Sequence, residues 1–470
     1  MSIIGAFVLP HPPMAIPEVG RGQERTIPET IDGYRAVARR IAELAPETIV
    51  VISPHSIMYS DYLHISPGTH AEGDMRRFRA SQVRIAKDYD APLARRIADL
   101  AGEAGLSAGM EGERDASIDH GVLVPLYFVE QEYTGYELVR CSISGLPFID
   151  HYRFGQCIAR ASDELGRRVA LIASGDLSHK LQPDGPYGFD PAGPVYDERL
   201  ITAIGSGDFA DLLEFDEDFC EEAAECGHRS FIVMAGALDG KAVDAHLLSH
   251  ADITGVGYAT AIIDVVGDDE TRRFGDAYEA RRRDEAREAA EGSDLHVRLA
   301  RLSVESIVRD GAELEVDDPR VQALLDGGDA CELLETRAGA FVSIHEFGRL
   351  RGCIGTIAPT ANCLASEILH NAVSASTGDP RFPPIGPGEL DDLVINVDVL
   401  GDPEPIASIG ELDVKRYGVI VTSGWKRGLL LPDLDGVDTP EQQVDIARQK
   451  AGIGKRESFS MQRFEVVRHT

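Results

Sequence analysis

Apolar runs and polar breaks alternate along this chain in the rhythm of strands and helices. Ile3 to Leu9 and Thr48 to Ser53 are short, continuous apolar runs bounded by turn residues, as expected of strands buried on both faces. Between them, residues 33–45 place Tyr34, Val37, Ile41 and Leu44 on one face at helical spacing. Tyr136 to Ser142, Val169 to Ser174 and Tyr258 to Val266 repeat the strand pattern, and Arg229 to Leu238 reads as a short buried helix. The alternation predicts an α/β domain over residues 1–267, with a central, mainly parallel sheet flanked by helices.

Residues 268–293 change character. Charge and alanine dominate there, and the pattern predicts a solvated helical linker. From Asp294 the periodicity restarts as an amphipathic helix carrying Leu295, Leu299 and Leu302. A strand at Ala340 to His345, a glycine-punctuated turn at Arg351 to Gly355 and a helix through Leu364 to Ser374 follow. Two more strands are expected at Leu393 to Leu400 and Gly418 to Val421, and Gly452 is placed to cap a helix ending near Lys450. Residues 294–470 are therefore expected to form a separate α+β domain.

Composition narrows the function classes. A formal charge of −33 argues against a nucleic-acid surface, because phosphate backbones attract basic patches, and against anionic membrane surfaces. The seven cysteines have no paired spacing, so neither a disulfide framework nor a redox pair is expected. No apolar run has the length of a membrane span, and the N-terminus reads straight into a strand without a basic leader. A cytoplasmic protein with reduced thiols is the expectation.

Candidate chemistry gathers where strands end. His11, in Pro10-His11-Pro12-Pro13, follows the first strand, and His55, in Ser53-Pro54-His55, follows the second. Strand ends on one edge of an α/β sheet converge, so these imidazoles are expected to meet. Glu225-Cys226-Gly227-His228 precedes an apolar helix and offers a further ligand. Two neutral imidazoles and one other ligand suit a divalent metal such as Fe(II) and leave positions open for a bidentate substrate. His179, directly after the strand ending at Ser174, is the expected general base, and His120, in Asp119-His120-Gly121, the group that orients substrate or stabilises oxyanion charge. In the second domain, Cys353 within Leu350-Arg351-Gly352-Cys353-Ile354-Gly355-Thr356 is a candidate nucleophile with His370 as partner. Arg351 and Arg381 are candidate anion binders there.

The segments around His11, His55, His120 and His179 together resemble the class III (LigB-like) extradiol ring-cleavage dioxygenases, which open catechols with non-haem Fe(II) and oxygen. The resemblance implies a small catechol-like or other phenolic substrate. The family's third ligand is a glutamate ten residues before a Gly-Ala pair. Here Gly236-Ala237 is that pair and Cys226 stands in the glutamate's place, with Glu225 beside it. Cys226-Gly227-His228-Arg229 is similar to the Memo branch of the superfamily, where a cysteine takes the ligand role. A thiolate is softer than a carboxylate, which widens the metal expectation to Zn or Cu. The string Leu350 to Thr356, with Asp379-Pro380-Arg381 and Gly428-Leu429-Leu430-Leu431-Pro432, resembles the AMMECR family over residues 294–470. The two halves in one chain resemble the fused AmmeMemoRadiSam family, which implies a radical SAM protein as partner and leaves a homo-oligomer open. Two other readings stand beside the oxidoreductase. One is a non-catalytic metal-binding module serving that partner, and the other an oxygen-independent hydrolase or lyase using metal-bound water.

Overall fold

The computed structural model describes residues 2–326, 330–434 and 436–470. The chain divides into two compact units, Met1–Tyr278 and Glu279–Thr470. Among the described residues no helix is long and apolar enough to cross a membrane.

The first unit is built on a sheet of six strands: β1 (Ile3–Leu9), β2 (Thr48–Ser53), β3 (Glu137–Ser142), β4 (Val169–Ser174), β5 (Lys241–Ala251) and β6 (Tyr258–Asp268). Their spatial order is β3-β2-β4-β1-β6-β5. The first four run parallel, and β6 and β5 add an antiparallel edge. Every residue of β2 and β4 is buried, which is why both read as unbroken apolar runs. Helices Pro28–Leu44 and His120–Val129 pack on the sheet face presenting Phe7, Leu9, Val51 and Ile172. The first of them begins five residues ahead of the expected 33–45, because Pro28 sits at its first position, where a fixed φ and a missing N–H cost nothing. The hairpin His70–Met75/Ala80–Asp88 and the half-exposed edge strand β5 had no counterpart in the apolar pattern.

Register decides where the site forms. Leu9 lies opposite Ser174 across β1 and β4, Ile52 opposite Ala173 across β2 and β4, and Ser53 opposite Ser142 across β2 and β3. The four strands therefore end side by side at one level, at their carboxyl ends, where open α/β sheets bind ligands.

The second unit curls one antiparallel sheet: β7 (Ala340–Glu346), β8 (Arg349–Gly355), β9 (Leu393–Leu400), β10 (Tyr417–Ser423), β11 (Lys426–Leu430) and β12 (Ser460–His469). The order is β8-β7-β9-β12-β10-β11, with a short strand Glu404–Ile406 also on β12. Helices Leu295–Asp310 and Leu364–Thr377 cover Val342, Ile344, Ile395 and Val397, and helix Pro440–Lys450 covers Val419, Val421 and Leu430. The helix Phe274–Gly292 crosses from one unit to the other in sequence, and within the second unit its Arg283 pairs with Asp392 at 3.0 Å. The expected turn at Arg351 to Gly355 is instead strand β8. The reversal falls at Phe347-Gly348, both at positive φ as a two-residue hairpin turn requires. Gly352 and Gly355 serve close packing: a Cβ would stand 2.2 Å from Ala375 O in the first case and 2.3 Å from the Phe341 ring in the second.

Candidate metal centre

His11, His55 and Cys226 meet at the carboxyl ends of β1 and β2, with one ligand atom of each within 4.8 Å of the others. His11 Nε2 lies 2.9 Å from His55 Nε2 and 3.6 Å from Cys226 Sγ. Spacings of this order separate ligands that share one ion at bond lengths of about 2.0–2.3 Å. His11 is buried and His55 exposed, so one side of the cluster faces the protein and the other the solvent.

The tautomer of His11 follows from its neighbours. Ser174 Oγ donates its single proton to Gly121 O at 2.5 Å. The same hydroxyl lies 2.9 Å from His11 Nδ1 and must therefore accept, which fixes the proton on Nδ1 and leaves the Nε2 lone pair facing His55 and Cys226. Burial, and then the neighbouring His55, hold His11 well below the ordinary imidazole range, so it is neutral. A neutral imidazole with its lone pair aimed at a second imidazole and a thiol is the donor set a divalent metal requires.

Asp176 joins the pieces. Its Oδ1 accepts from His11 N at 2.8 Å, and its backbone N–H donates to Cys226 Sγ at 3.3 Å. Its carbonyl accepts from Gly227 N at 3.0 Å. The two segments touch at glycine on both sides: a Cβ on Gly175 would lie 2.1 Å from Gly227 Cα. Burial pushes the Asp176 carboxyl up to about 7. Burial, then Asp176 and Glu225, push the Cys226 thiol well up. These acids sit together facing neutral imidazoles, an arrangement that a bound cation relieves. Glu225 itself turns away. Its Oε2 accepts from His228 N at 2.6 Å and caps helix His228–Ala237, so Cys226 is the member of the pair that stands with the histidines.

The two remaining histidines flank the cluster. His120 opens helix His120–Val129 and stacks on His55 with centroids 4.2 Å apart. Asp119, the cap of that helix, accepts from Ser53 Oγ at 2.7 Å and Ser56 Oγ at 2.6 Å, and so holds the His55 loop against it. On the other flank His179 joins Asp176 and Cys226 within 4.8 Å. Its Nε2 is buried without a hydrogen-bond partner. Burial, and then His55, lower both flanking imidazoles to about 4, so both are neutral at physiological pH. A cavity of about 1040 Å³ opens beside His55 and His120, walled by the 70–88 hairpin with Arg77 and Phe78, and by Asp115 and Arg140. Asp176, Asp119, Ser174 and this hairpin were given no role by sequence reasoning. The cap position of Asp119, two residues after Ser117 and directly before a helix, was the one readable signal among them.

The second-domain candidates are arranged differently. Arg351 donates to Glu389 at 2.7 and 3.2 Å, to Pro383 O at 2.8 Å and to Pro384 O at 3.3 Å. Arg381 donates to both oxygens of Asp379, at 3.0 and 2.7 Å, and to Cys353 O at 3.1 Å. Both arginines thus clamp the 379–389 loop onto β8. Cys353 Sγ accepts from Ser343 Oγ at 3.2 Å, and its backbone N–H donates to Asp379 at 2.9 Å. His370 lies on helix Leu364–Thr377, the helix that Gly352 faces. The next residue, Cys353, therefore points to the opposite side of the sheet, and the His370 ring pairs with Glu315 at 3.6 Å instead.

Comparison with known proteins agrees with this division. Residues 5–261 match the family described as the catalytic LigB subunit of aromatic ring-opening dioxygenase, and residues 297–469 match AMMECR1. Protein CA_C1420 of Clostridium acetobutylicum is 38% identical over 476 residues, covering 100% of this chain and 99% of that protein. A Thermotoga maritima protein is 49% identical over 180 residues, 38% of this chain and 98% of its own length. Two crystal structures of uncharacterized proteins also align. PH0010 from Pyrococcus horikoshii has a TM-score of 0.32 at 30% identity, over 38% of this chain and 91% of that one. JW3007 from Escherichia coli K12 has a TM-score of 0.35 at 18% identity, over 55% of this chain and 99% of that one.

Proposed function

The chain belongs to the family of the catalytic LigB subunit of aromatic ring-opening dioxygenases, with an AMMECR1 domain fused behind it, and from that membership and the donor geometry we propose a metal-dependent oxidoreductase acting on a catechol-like or other phenolic substrate. The observation that carries this reading is the convergence of His11, His55 and Cys226 beside His179, half-buried and neutral, whose Nε2 is buried with no hydrogen-bond partner. Fe(II) held by those three residues would supply Lewis acidity and redox chemistry with coordination positions left for substrate and oxygen.

The rest of the work falls to this chain's own side chains. His179 Nε2 takes the proton of a phenolic hydroxyl presented to it, since a neutral imidazole whose lone pair makes no other bond is free to accept. His120, stacked on His55 and lining the cavity, orients the ring and donates toward developing oxyanion charge. Phe78, whose ring is 5.4 Å from that of His120, offers an apolar face to an aromatic substrate. Ser174 and Asp176 keep His11 in the tautomer and place that a metal needs.

The test is anaerobic purification with iron analysis, followed by a catechol and phenol panel under oxygen. Stoichiometric iron that is lost in His11→Ala and Cys226→Ala, with turnover lost in His179→Ala at unchanged iron, is the expected result. An iron-free protein, or turnover unaffected by His179→Ala, would sink the enzyme reading. One observation favours a second reading, a metal-binding module that serves a radical SAM protein. The thiol of Cys226 occupies the place of the family's carboxylate, and soft ligands favour retention of a thiophilic metal. Bound metal with no turnover on any substrate, together with capture of a radical SAM partner, would select it.

A further inference from the structure

A second group of metal-compatible side chains lies within the second unit. Asp294 caps helix Leu295–Asp310, with Oδ1 accepting from His296 N at 2.9 Å and Val297 N at 3.2 Å. Its other oxygen, Oδ2, accepts from Nδ1 of His469 at the end of β12. The His296 and His469 rings stack with centroids 3.7 Å apart and planes 20° apart. His296 is 8% exposed, and its Nδ1 stands 3.7 Å from Asp294, beyond hydrogen-bond length. Nε2 of both rings is buried with no partner. Of the four ring nitrogens, one makes a hydrogen bond.

That pattern is costly if its purpose is packing alone. Each buried nitrogen without a partner has lost its hydration for nothing in return, and an apolar ring would fill the same space without the penalty. Nor can both rings be protonated without placing two cations face to face. Ring nitrogens without hydrogen-bond partners beside a carboxylate are what a divalent ion of borderline softness selects.

We propose that Asp294, His296 and His469 form a second metal-binding site, for an ion of the Zn²⁺ class, using one nitrogen from each ring and a carboxylate oxygen. Ligand atoms of all three lie within 4.8 Å of one another. Binding requires the stacked rings to fan apart, a rotamer-scale motion, and leaves the fourth position to water. The site joins the first turn of helix Leu295–Asp310 to β12, whose His469 is paired with Val397 of β9. Its role is that of a clip. It ties the helix covering the larger core of this unit to the strand that carries the sheet from that core to the smaller one. The inference does not rest on the function proposed for the first unit.

The experiment is calorimetric titration of the full chain with Zn²⁺, in a background where His55→Ala and Cys226→Ala remove the first site. One Zn²⁺ per chain is expected in that background, with binding lost in His469→Ala and in His296→Ala. Asp294→Asn, which preserves the helix cap but replaces the anionic ligand with a neutral amide, should weaken binding by at least about 10-fold. Melting followed by circular dichroism accompanies each titration, and Zn²⁺ should raise the melting temperature only where it binds. Should His296→Ala fail to fold, His469→Gln and Asp294→Asn decide the matter. A first-site-deleted chain that binds no Zn²⁺, or that binds it equally with and without His469, would overturn the proposal.

Discussion

The two clusters picked out by chemistry-bearing residues, one in each unit, differ in how their polar atoms are used. Around His11 the imidazoles are neutral, the acids are held up by burial, and His179 keeps a buried nitrogen with nothing to bind. Around Cys353 the groups are already spoken for. Arg351 and Arg381 together make seven hydrogen bonds to loop and strand through their side chains, and Asp379 is held low, first by Arg381. A site for chemistry carries unsatisfied capacity that a ligand completes, whereas an architectural cluster satisfies itself. By that measure the first cluster is poised for a ligand, and the LRGCIG string is a latch.

The contrast can be broken at either end. The largest effect is expected at His179, where alanine should lower turnover by about 10²- to 10⁴-fold at unchanged metal content, as measured by metal analysis and steady-state rates. Next comes Arg351→Ala. It strips a half-buried guanidinium from Glu389 and two carbonyls and should destabilise the second unit by about 3 kcal/mol in denaturant unfolding. If stability held and only a ligand-dependent property changed, the latch description would fail.

Asp379→Asn should cost about 2 kcal/mol at neutral pH, with a sign that can be checked by acid. The Arg381 guanidinium holds the Asp379 carboxyl below its ordinary value of 3.8. Its contribution is therefore complete above that value and is lost as pH falls through the lower, folded-state one. Melting curves of Asp379→Asn and wild type should differ most at neutral pH and converge in strong acid. Cys353→Ser comes last, with an expected change within about 1 kcal/mol, since a hydroxyl can still accept from Ser343 Oγ. A large catalytic loss there would move Cys353 into the first class.

The strands that carry the first site were legible because β1, β2 and β4 are buried on both faces, so their sequences are apolar without interruption. Their ends then point to His11 and His55. The hairpin 70–88 escaped notice because its outward positions are charged, Glu72, Arg84 and Asp88 among them, while the inward positions of its first strand include Ala71 and Gly73, too small to read as an apolar alternation. The second-unit turn was misplaced for a related reason. Gly352 and Gly355 look like turn glycines in sequence, yet their role is to let a helix and an aromatic ring approach. Asp176 and Ser174 could not be assigned, because each acts through a partner more than 40 residues away that only the sheet register brings near.

The contact between Gly175 and Gly227 sets the distance between the two backbone segments that carry Asp176 and Cys226. The reach of the thiol toward His11 is thus governed by atoms that are missing. A single methyl group at either position would pry the segments apart while leaving every donor side chain in place. Such a lineage would lose the donor cluster with its ligand signature intact, and a survey that counts histidines and cysteines would go on scoring it as competent.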